Sequence, residues 1–288
     1  MSDAIRVGLV GFGYASKTFH APLIGGTPGM ALKAVASSDA DKVHADWSGV
    51  KVMSAPGDLL DDPDIDLVVI ATPNDTHFPL AKAALEAGKH VVVDKPFTVT
   101  LSQARELESL AKHCGRILSV FHNRRWDSDF LTVSALINEG QLGEVCYFES
   151  HFDRFRPQVR QRWREQAGPG SGIWYDLAPH LLDQVVVLFG LPVSITVDLA
   201  QLRPGAQSTD YFHAVLAYPQ RRVVLHGTLL AAAESARFIV HGSRASYIKY
   251  GLDPQEERLK NGDRWIDTPF VFTGEHGGHM APDTLSGY

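Results

Sequence analysis

Residues 8–16 read GLVGFGYAS, and they continue an apolar run, IRVGLV, that begins at residue 5. A short run of branched residues that leads into glycines has the pattern of a strand buried on both faces and ended by a tight turn. Gly11 and Gly13 stand where the first two glycines of a dinucleotide-binding turn stand, and Ser16 takes the third position. Each residue type has a physical reason. Gly11 permits the turn, and Gly13 lets the backbone approach a pyrophosphate. The helix that follows offers free N–H groups and the positive end of its dipole. Phe12 and Tyr14 belong to the same turn and share its expected cofactor contact. A lone glycine pattern is weak evidence, so its surroundings have to support it.

They do. Apolar runs recur at 32–36, 67–71, 90–93 and 117–121. Helical spacing appears at 78–87, before Gly88, and at 101–113, between an N-cap Thr100 and Gly115. Strands alternating with helices predict a doubly wound parallel sheet, a Rossmann domain over residues 1–122. Ligands bind at the carboxyl ends of such strands. Two loops are expected there. ATPNDTH (71–77) offers Thr72, Pro73, Asn74 and His77, and VVVDKPF (91–97) offers Asp94 and Lys95. The second strand ends in Ser37 and Ser38, with Asp39 one step late. Hydroxyls without a leading carboxylate tolerate a ribose 2′-phosphate, which favours NADP over NAD.

Beyond residue 122 the pattern changes. A helix is expected at 128–138. Alternating stretches at 144–153, 194–202, 211–217, 223–229 and 238–241 predict strands with one covered face. In 194–202, Ile195, Val197 and Leu199 share a face, and a helix over 174–189 is the expected cover. The second domain, 123–288, is therefore read as α+β with a large open mixed sheet. On its plainest reading the basic stretch 154–164 is a solvated loop. Asp176 and His180 fall one helical turn apart, as half of a proton-handling site or as a capped helix start with a satisfied core histidine.

The totals exclude other classes. With 288 residues, 44% hydrophobic, 21% charged and a net charge of −6, the chain has the make-up of a soluble enzyme or binding protein. It is a poor polyanion binder, so no nucleic-acid partner is expected. No apolar run suits a membrane span and no secretory leader is seen. Two cysteines, Cys114 and Cys146, without metal or redox spacing fit two free thiols in the cytoplasm. None of the 13 histidines forms a ligand cluster with nearby acids, so no metal is expected.

Four segments in order are more specific than any one of them: GLVGFGYASKTFHAPLI, ATPNDTHFPLAKAALEAGKHVVVDKPF, FHNRRWDSDF and GIWYDLAPHLLDQ. Together they resemble the glucose–fructose oxidoreductase and inositol dehydrogenase family (Gfo/Idh/MocA). Within it they resemble the branch of YdgJ-type oxidoreductases and NADP-dependent scyllo-inositol dehydrogenases. The likeness runs to about residue 262, after which the chain departs from the family pattern. The resemblance implies NAD(P)-dependent hydride transfer at a polyol or sugar hydroxyl. It places the family's signature lysine on Lys95, with Asp94 where the family has glutamate, and its Asp-x-x-x-His pair on Asp176 and His180. Substrate contacts would fall on Asn123, Arg125 and Trp126, beside Arg124, with Trp163 and Tyr175 added. The site would lie between the domains, and homodimers or homotetramers would form through the second sheet. Two other readings are a reductase of aldehydes, sugars or dihydrodiols and a non-catalytic NADP(H) sensor or remnant.

Overall fold

The computed structural model describes residues 4–262 and 278–282. The chain divides into two compact units, 1–121 with 254–270 and 122–253 with 271–288. In the first unit six strands form one parallel sheet in the order β3-β2-β1-β4-β5-β6. They are β1 Ile5–Val10, β2 Met30–Ala36, β3 Lys51–Met53, β4 Leu67–Ile70, β5 His90–Asp94 and β6 Leu118–Phe121. Between them run α1 Ala21–Gly26, α2 Ala40–His44, α3 Pro56–Leu60, α4 His77–Glu86 and α5 Leu101–Cys114. The apolar runs are continuous because both faces of the sheet are covered. Val68 and Ile70 of β4 pack with Ala81, Leu85 and Leu107, whereas Val69 between them packs with Ala21, Ile24 and Val43. Burying one such side chain contributes about 1.5–3 kcal/mol.

Local signals fix the ends. Thr100 and Gln103 form a reciprocal capping box at the start of α5, and Gly115 closes it at φ +62°. The sequence pattern shows neither β3 nor α1–α3. Their three to six residues are too few for a period to register.

The second unit is built on a seven-stranded mixed sheet in the order β13-β12-β11-β7-β10-β9-β8. Its strands are β7 Val145–Asp153, β8 Ser194–Ala200, β9 Tyr211–Ala217, β10 Arg222–Thr228, β11 Phe238–Gly242, β12 Ala245–Lys249 and β13 Gly278–Pro282. Two helices accompany it, α6 Ser128–Asn138 and α7 Gly172–Phe189. Ile173, Leu177, Leu181 and Val185 of α7 lie in one core with Phe148, Phe212, Leu216 and Leu225. One expectation is corrected here. Ile195, Val197 and Leu199 do pair with Leu216, Ala214 and Phe212, yet they remain 48%, 37% and 47% exposed. The helix covers β9 and β10 and leaves the edge strand β8 largely bare. A second difference concerns residues 254–262, which fall in the first unit as the helix α8, Gln255–Lys260. The chain after residue 262 otherwise lies outside the described residues, apart from β13. Among the described residues no helix is long and apolar enough to cross a membrane, and both cysteines are free.

Beneath α6 the second unit buries several charges. Asp129 and Arg237 are almost fully enclosed, with Arg237 bonded to Ser150 and Gln184 and stacked 4.1 Å over the Phe152 ring. Burial pushes the Asp127 carboxyl up to about 7, with Asp129 and Asp253 adding to the effect and Arg124 opposing it. An acid whose folded pKa exceeds its unfolded value favours the fold while protonated. That contribution is whole below about 3.8 and is lost as pH rises toward 7. Asp127→Asn should therefore gain on the wild type by up to about 1.4 kcal/mol per pH unit over this interval. Denaturant melts at several pH values check it. Parallel stability curves for the two proteins would refute this pKa.

Candidate active site

In the first unit the expected cofactor residues collect at the carboxyl ends of β1, β2, β4 and β5. Gly11 has φ +88°, and a Cβ there would meet the Ala71 carbonyl oxygen at 2.7 Å and Thr72 Cγ2 at 3.0 Å. The turn is thus pressed against the 71–77 loop, and Gly11 N–H donates to Ala36 O at 2.9 Å. A Cβ on Gly13 would meet nothing within 4 Å. Among the described residues no packing requires glycine there, and the open space is what a pyrophosphate would need. Ser16 is wholly buried and donates to Gly11 O at 2.8 Å. It closes the turn from within rather than reaching outward. Phe12 likewise turns into the core with Ala21 and Ile24. Tyr14 stays 55% exposed and donates to Glu256 Oε1 of α8 at 2.5 Å.

His77 has a different role from a ligand contact. It is fully buried, with Nδ1 2.8 Å from Pro96 O and Nε2 3.0 Å from Thr72 O. One imidazole thus ties the 71–77 loop to the loop that carries Lys95. Thr72 and Thr76 share a hydroxyl bond of 2.6 Å, and Asn74 is buried beneath exposed Pro73. Asp94 is mostly enclosed, and its Oδ1 accepts from the Lys95 backbone N–H at 2.8 Å. The buried His20 places Nε2 3.9 Å from Asp94 Oδ2, within ion-pair range, and leans on Phe121 at 4.2 Å. Burial works to raise the Asp94 carboxyl, but His20 and Lys95 hold it below the ordinary carboxylate range. At the end of β2, the Ser37 hydroxyl meets the Asp39 backbone, and Ser38 is exposed. Asp39 spends its carboxylate on the Lys42 N–H as the N-cap of α2.

The second unit holds the other half of the expected site. Ile173 N–H donates to Thr209 O at 2.7 Å, and Gly172, at φ +82°, has no room for a Cβ beside Thr209. This anchors the start of α7. Ser171 does not cap it with its side chain, so the capping part of the plainer reading fails. Asp176 and His180 then fall on one helical face. His180 is 6% exposed, its ring edge-on to Phe152 at 6.2 Å. Asp176 Oδ1 faces Arg164 Nε at 3.5 Å, and the Arg164 guanidinium lies 4.4 Å over Trp163.

The basic stretch is therefore only partly a solvated loop, tied down at its carboxyl end. Glu165 is buried and binds Arg162 at 2.7 Å and Arg203 at 3.1 Å, while Arg203 binds buried Asp210 at 2.9 Å. This chain of charges holds Trp163 and Arg164 against α7. Among the other expected substrate residues, Arg125 is clamped by both oxygens of Asp183, at 2.7 and 2.6 Å. Trp126 is 66% exposed, and Asn123 and Tyr175 are half-buried.

The oxidoreductase family with an NAD-binding Rossmann fold, GFO_IDH_MocA, matches residues 5–122. Its C-terminal alpha/beta domain matches 134–287, which corrects the expected departure from the family after about residue 262. The chain belongs to the Gfo/Idh/MocA family. It is an NAD(P)-dependent oxidoreductase with a Rossmann domain and a C-terminal α/β domain. The uncharacterized oxidoreductase YdgJ of Escherichia coli is 81% identical over 264 residues, 92% of this chain and 76% of YdgJ. The scyllo-inositol 2-dehydrogenase (NADP(+)) IolW of Bacillus subtilis is 38% identical over 93% of this chain and 76% of its own length. The solved structure of YPO2259 from Yersinia pestis superposes with a TM-score of 0.89 at 64% identity, over 98% of this chain and 82% of that one.

Three participants escape a reading of the Gfo/Idh/MocA motifs alone. His20 follows the glycine loop in a π-helical turn, Ser16–His20, and only its buried position marks it. Arg164 is hidden among other arginines, and Asp183 in an apolar run. The expectation of no histidine–acid cluster is also corrected. His151, Asp153 and His226 lie together because β7 and β10 pair in register, a neighbourhood between residues 73 apart in sequence that spacing cannot show.

Two glycines give a contrast. Gly13→Val should leave the melting temperature nearly unchanged but weaken NAD(P)H binding roughly tenfold or more, because the added side chain enters the space left for the cofactor. Gly11→Val should lower stability by about 1–3 kcal/mol through its left-handed backbone and the Ala71 contact. Thermal melts with nicotinamide fluorescence titrations separate the two. Equal effects of both variants on stability would contradict these assignments.

Proposed function

We propose that the protein transfers hydride between NADP and a secondary hydroxyl of a cyclic polyol or sugar of the inositol class. The observation that carries the proposal is on α7, where a buried His180 stands one turn from Asp176, itself engaged by Arg164. NADP is favoured over NAD because Asp39 is committed to capping α2, leaving the Ser37 and Ser38 hydroxyls at the end of β2. The likeness to IolW, a scyllo-inositol dehydrogenase that uses NADP(+), supports cofactor and substrate class together.

When bound, the nicotinamide supplies the hydride acceptor. His180 takes the hydroxyl proton as the carbonyl forms, a role suited to an imidazole near neutral pH. Asp176 holds a neighbouring hydroxyl or orients the imidazole. Lys95, in a loop steadied by His77, donates to the reacting oxygen and stabilises charge developing there. Asn123, Trp126, Trp163 and Tyr175 would line the substrate. Arg125 would act chiefly through Asp183, which already engages it. A second copy of the chain would cover part of the second sheet to give a homodimer or homotetramer, and bare apolar residues on β8 support that. The cytoplasm is the expected compartment for its two free thiols.

A second reading concerns substrate charge. Arg154, Arg160 and Arg162 crowd Arg156, and burial together with that crowding lowers its pKa. Such a cluster next to Asp176 favours a ring polyol that carries a carboxylate.

The decisive experiment is a screen of neutral and acidic polyols, sugars, aldehydes and dihydrodiols in both directions with NAD and NADP. Lys95→Ala and His180→Ala should each lower kcat/KM by about 10²–10⁴. Full activity in both variants would refute the mechanism, and NADPH binding without turnover on any substrate would mark a sensor. Arg156→Ala should raise KM for an acidic polyol about tenfold more than for scyllo-inositol if the second reading holds.

A further inference from the structure

Strands β7 and β10 are the parallel pair at the middle of the second sheet. Alternate residues of a strand leave opposite faces. Phe148, Phe152 and Leu225 point into the core with α7, so Glu149, His151, Asp153 and His226 leave the other face. The register sets His226 directly across from His151, and Asp153 follows two residues on. Nitrogen and oxygen atoms from these three side chains all lie within 4.8 Å of one another. His226 Nδ1 is 2.7 Å from Asp153 Oδ1, and His151 Nδ1 is 3.3 Å from Asp153 Oδ2. The side chains are only 19%, 7% and 18% exposed.

We propose that His151, Asp153 and His226 form a binding site for a divalent transition-metal ion, zinc in preference to magnesium or calcium. Three features support it. A four-coordinate zinc with bonds of about 2.0–2.1 Å has ligand–ligand edges of about 3.3 Å, and the His151–Asp153 separation of 3.3 Å matches that length, while His226 at 2.7 Å from Asp153 would move back slightly. Small side-chain rotations would bring the third edge in. The second feature is the carboxylate behind His151. Its Nε2 lies 3.0 Å from Glu149 Oε2, and Glu149 in turn accepts the Tyr147 hydroxyl. A neutral imidazole that donated from Nε2 to Glu149 would leave the lone pair of Nδ1 facing the Asp153 carboxylate, and a metal ion between them would satisfy both. A carboxylate behind a ligating histidine is also the usual way such a ring is oriented. The third feature is access. A cavity of about 170 Å³ opens beside His151 and Asp153, lined also by Glu234 and Ser235. With three protein ligands, it leaves a coordination position for water. Two imidazoles favour zinc, cobalt or nickel over the hard oxygen-seeking cations.

The ion would brace β7 to β10 and take no part in hydride transfer. Purified full-length protein is stripped with a chelator and dialysed. It is then titrated with Zn²⁺ by calorimetry and with Co²⁺ by visible ligand-field absorption, with Mg²⁺ as control. The expected result is one saturable zinc or cobalt ion per chain, no magnesium binding, and a melting temperature raised by about 3 °C or more. Asp153→Asn and His226→Gln should each weaken zinc binding roughly tenfold or more while NADPH binding, measured alongside, stays at the wild-type value. Far-UV circular dichroism and a cooperative melt of each metal-free variant, matched to the metal-free wild type, show that the second unit is folded. If a variant fails this check, His151→Gln replaces that variant. No stoichiometric zinc binding, or binding equally tight in folded variants, would overturn the site. A proton held between the histidines and Asp153 would then be the occupant.

Discussion

The first unit depends on the close approach of Gly11 to the Ala71 carbonyl. Only a residue without Cβ, free to adopt positive φ, lets β1 end in a turn pressed against the loop after β4. The consequences spread from that contact. Ser16 closes the turn from inside, and Gly13 is left facing open space. Next along, His77 fastens the 71–77 loop to Pro96, and His20 faces Asp94 beside Lys95. Four polar side chains thus hold three loops in place, and none of the four needs to touch a ligand to matter. Buried polar groups of this kind are costly unless every one finds a partner, so losing one would loosen the others.

The second unit solves a related problem with charges. Arg164 and Trp163 sit on an irregular segment, which has no ladder to fix it. The buried Glu165–Arg203–Asp210 chain supplies the anchor. Removing one partner from such a chain would leave an uncompensated buried charge, which is why the segment can hold a guanidinium against Asp176 without regular structure around it.

How much of this could be read from sequence follows from range. Thr100, Gly115 and the runs at 67–71 and 128–138 announce themselves because capping and periodicity act over a few residues. The glycine turn and the Asp176–His180 spacing are equally local. What stays hidden is set by distant partners. Ser16 and His77 look like ligand contacts until the backbone carbonyls they bind are known. The apolar row on β8 looks covered until the reach of α7 is known. The basic segment looks solvated because its counterion, Asp210, lies across the unit. Asp39 is the instructive case, since its late position and its capping duty are one local fact, and the proposed preference for NADP rests on it.

The histidines make the same point from the opposite direction. In sequence, HFD at 151–153 and the H at 226 are unremarkable, and a histidine in a strand is more often packing than ligand. Register converts them, because a parallel pair sets equal positions side by side and a period of two puts Asp153 on the same face as His151. The same parity that sends Phe152 and Leu225 into the core therefore forces the polar set outward together. A shift of one residue in that pairing would exchange the two sets, burying acids and imidazoles under α7. The core that fixes the register is thus also what holds the three ligand atoms within reach of one ion.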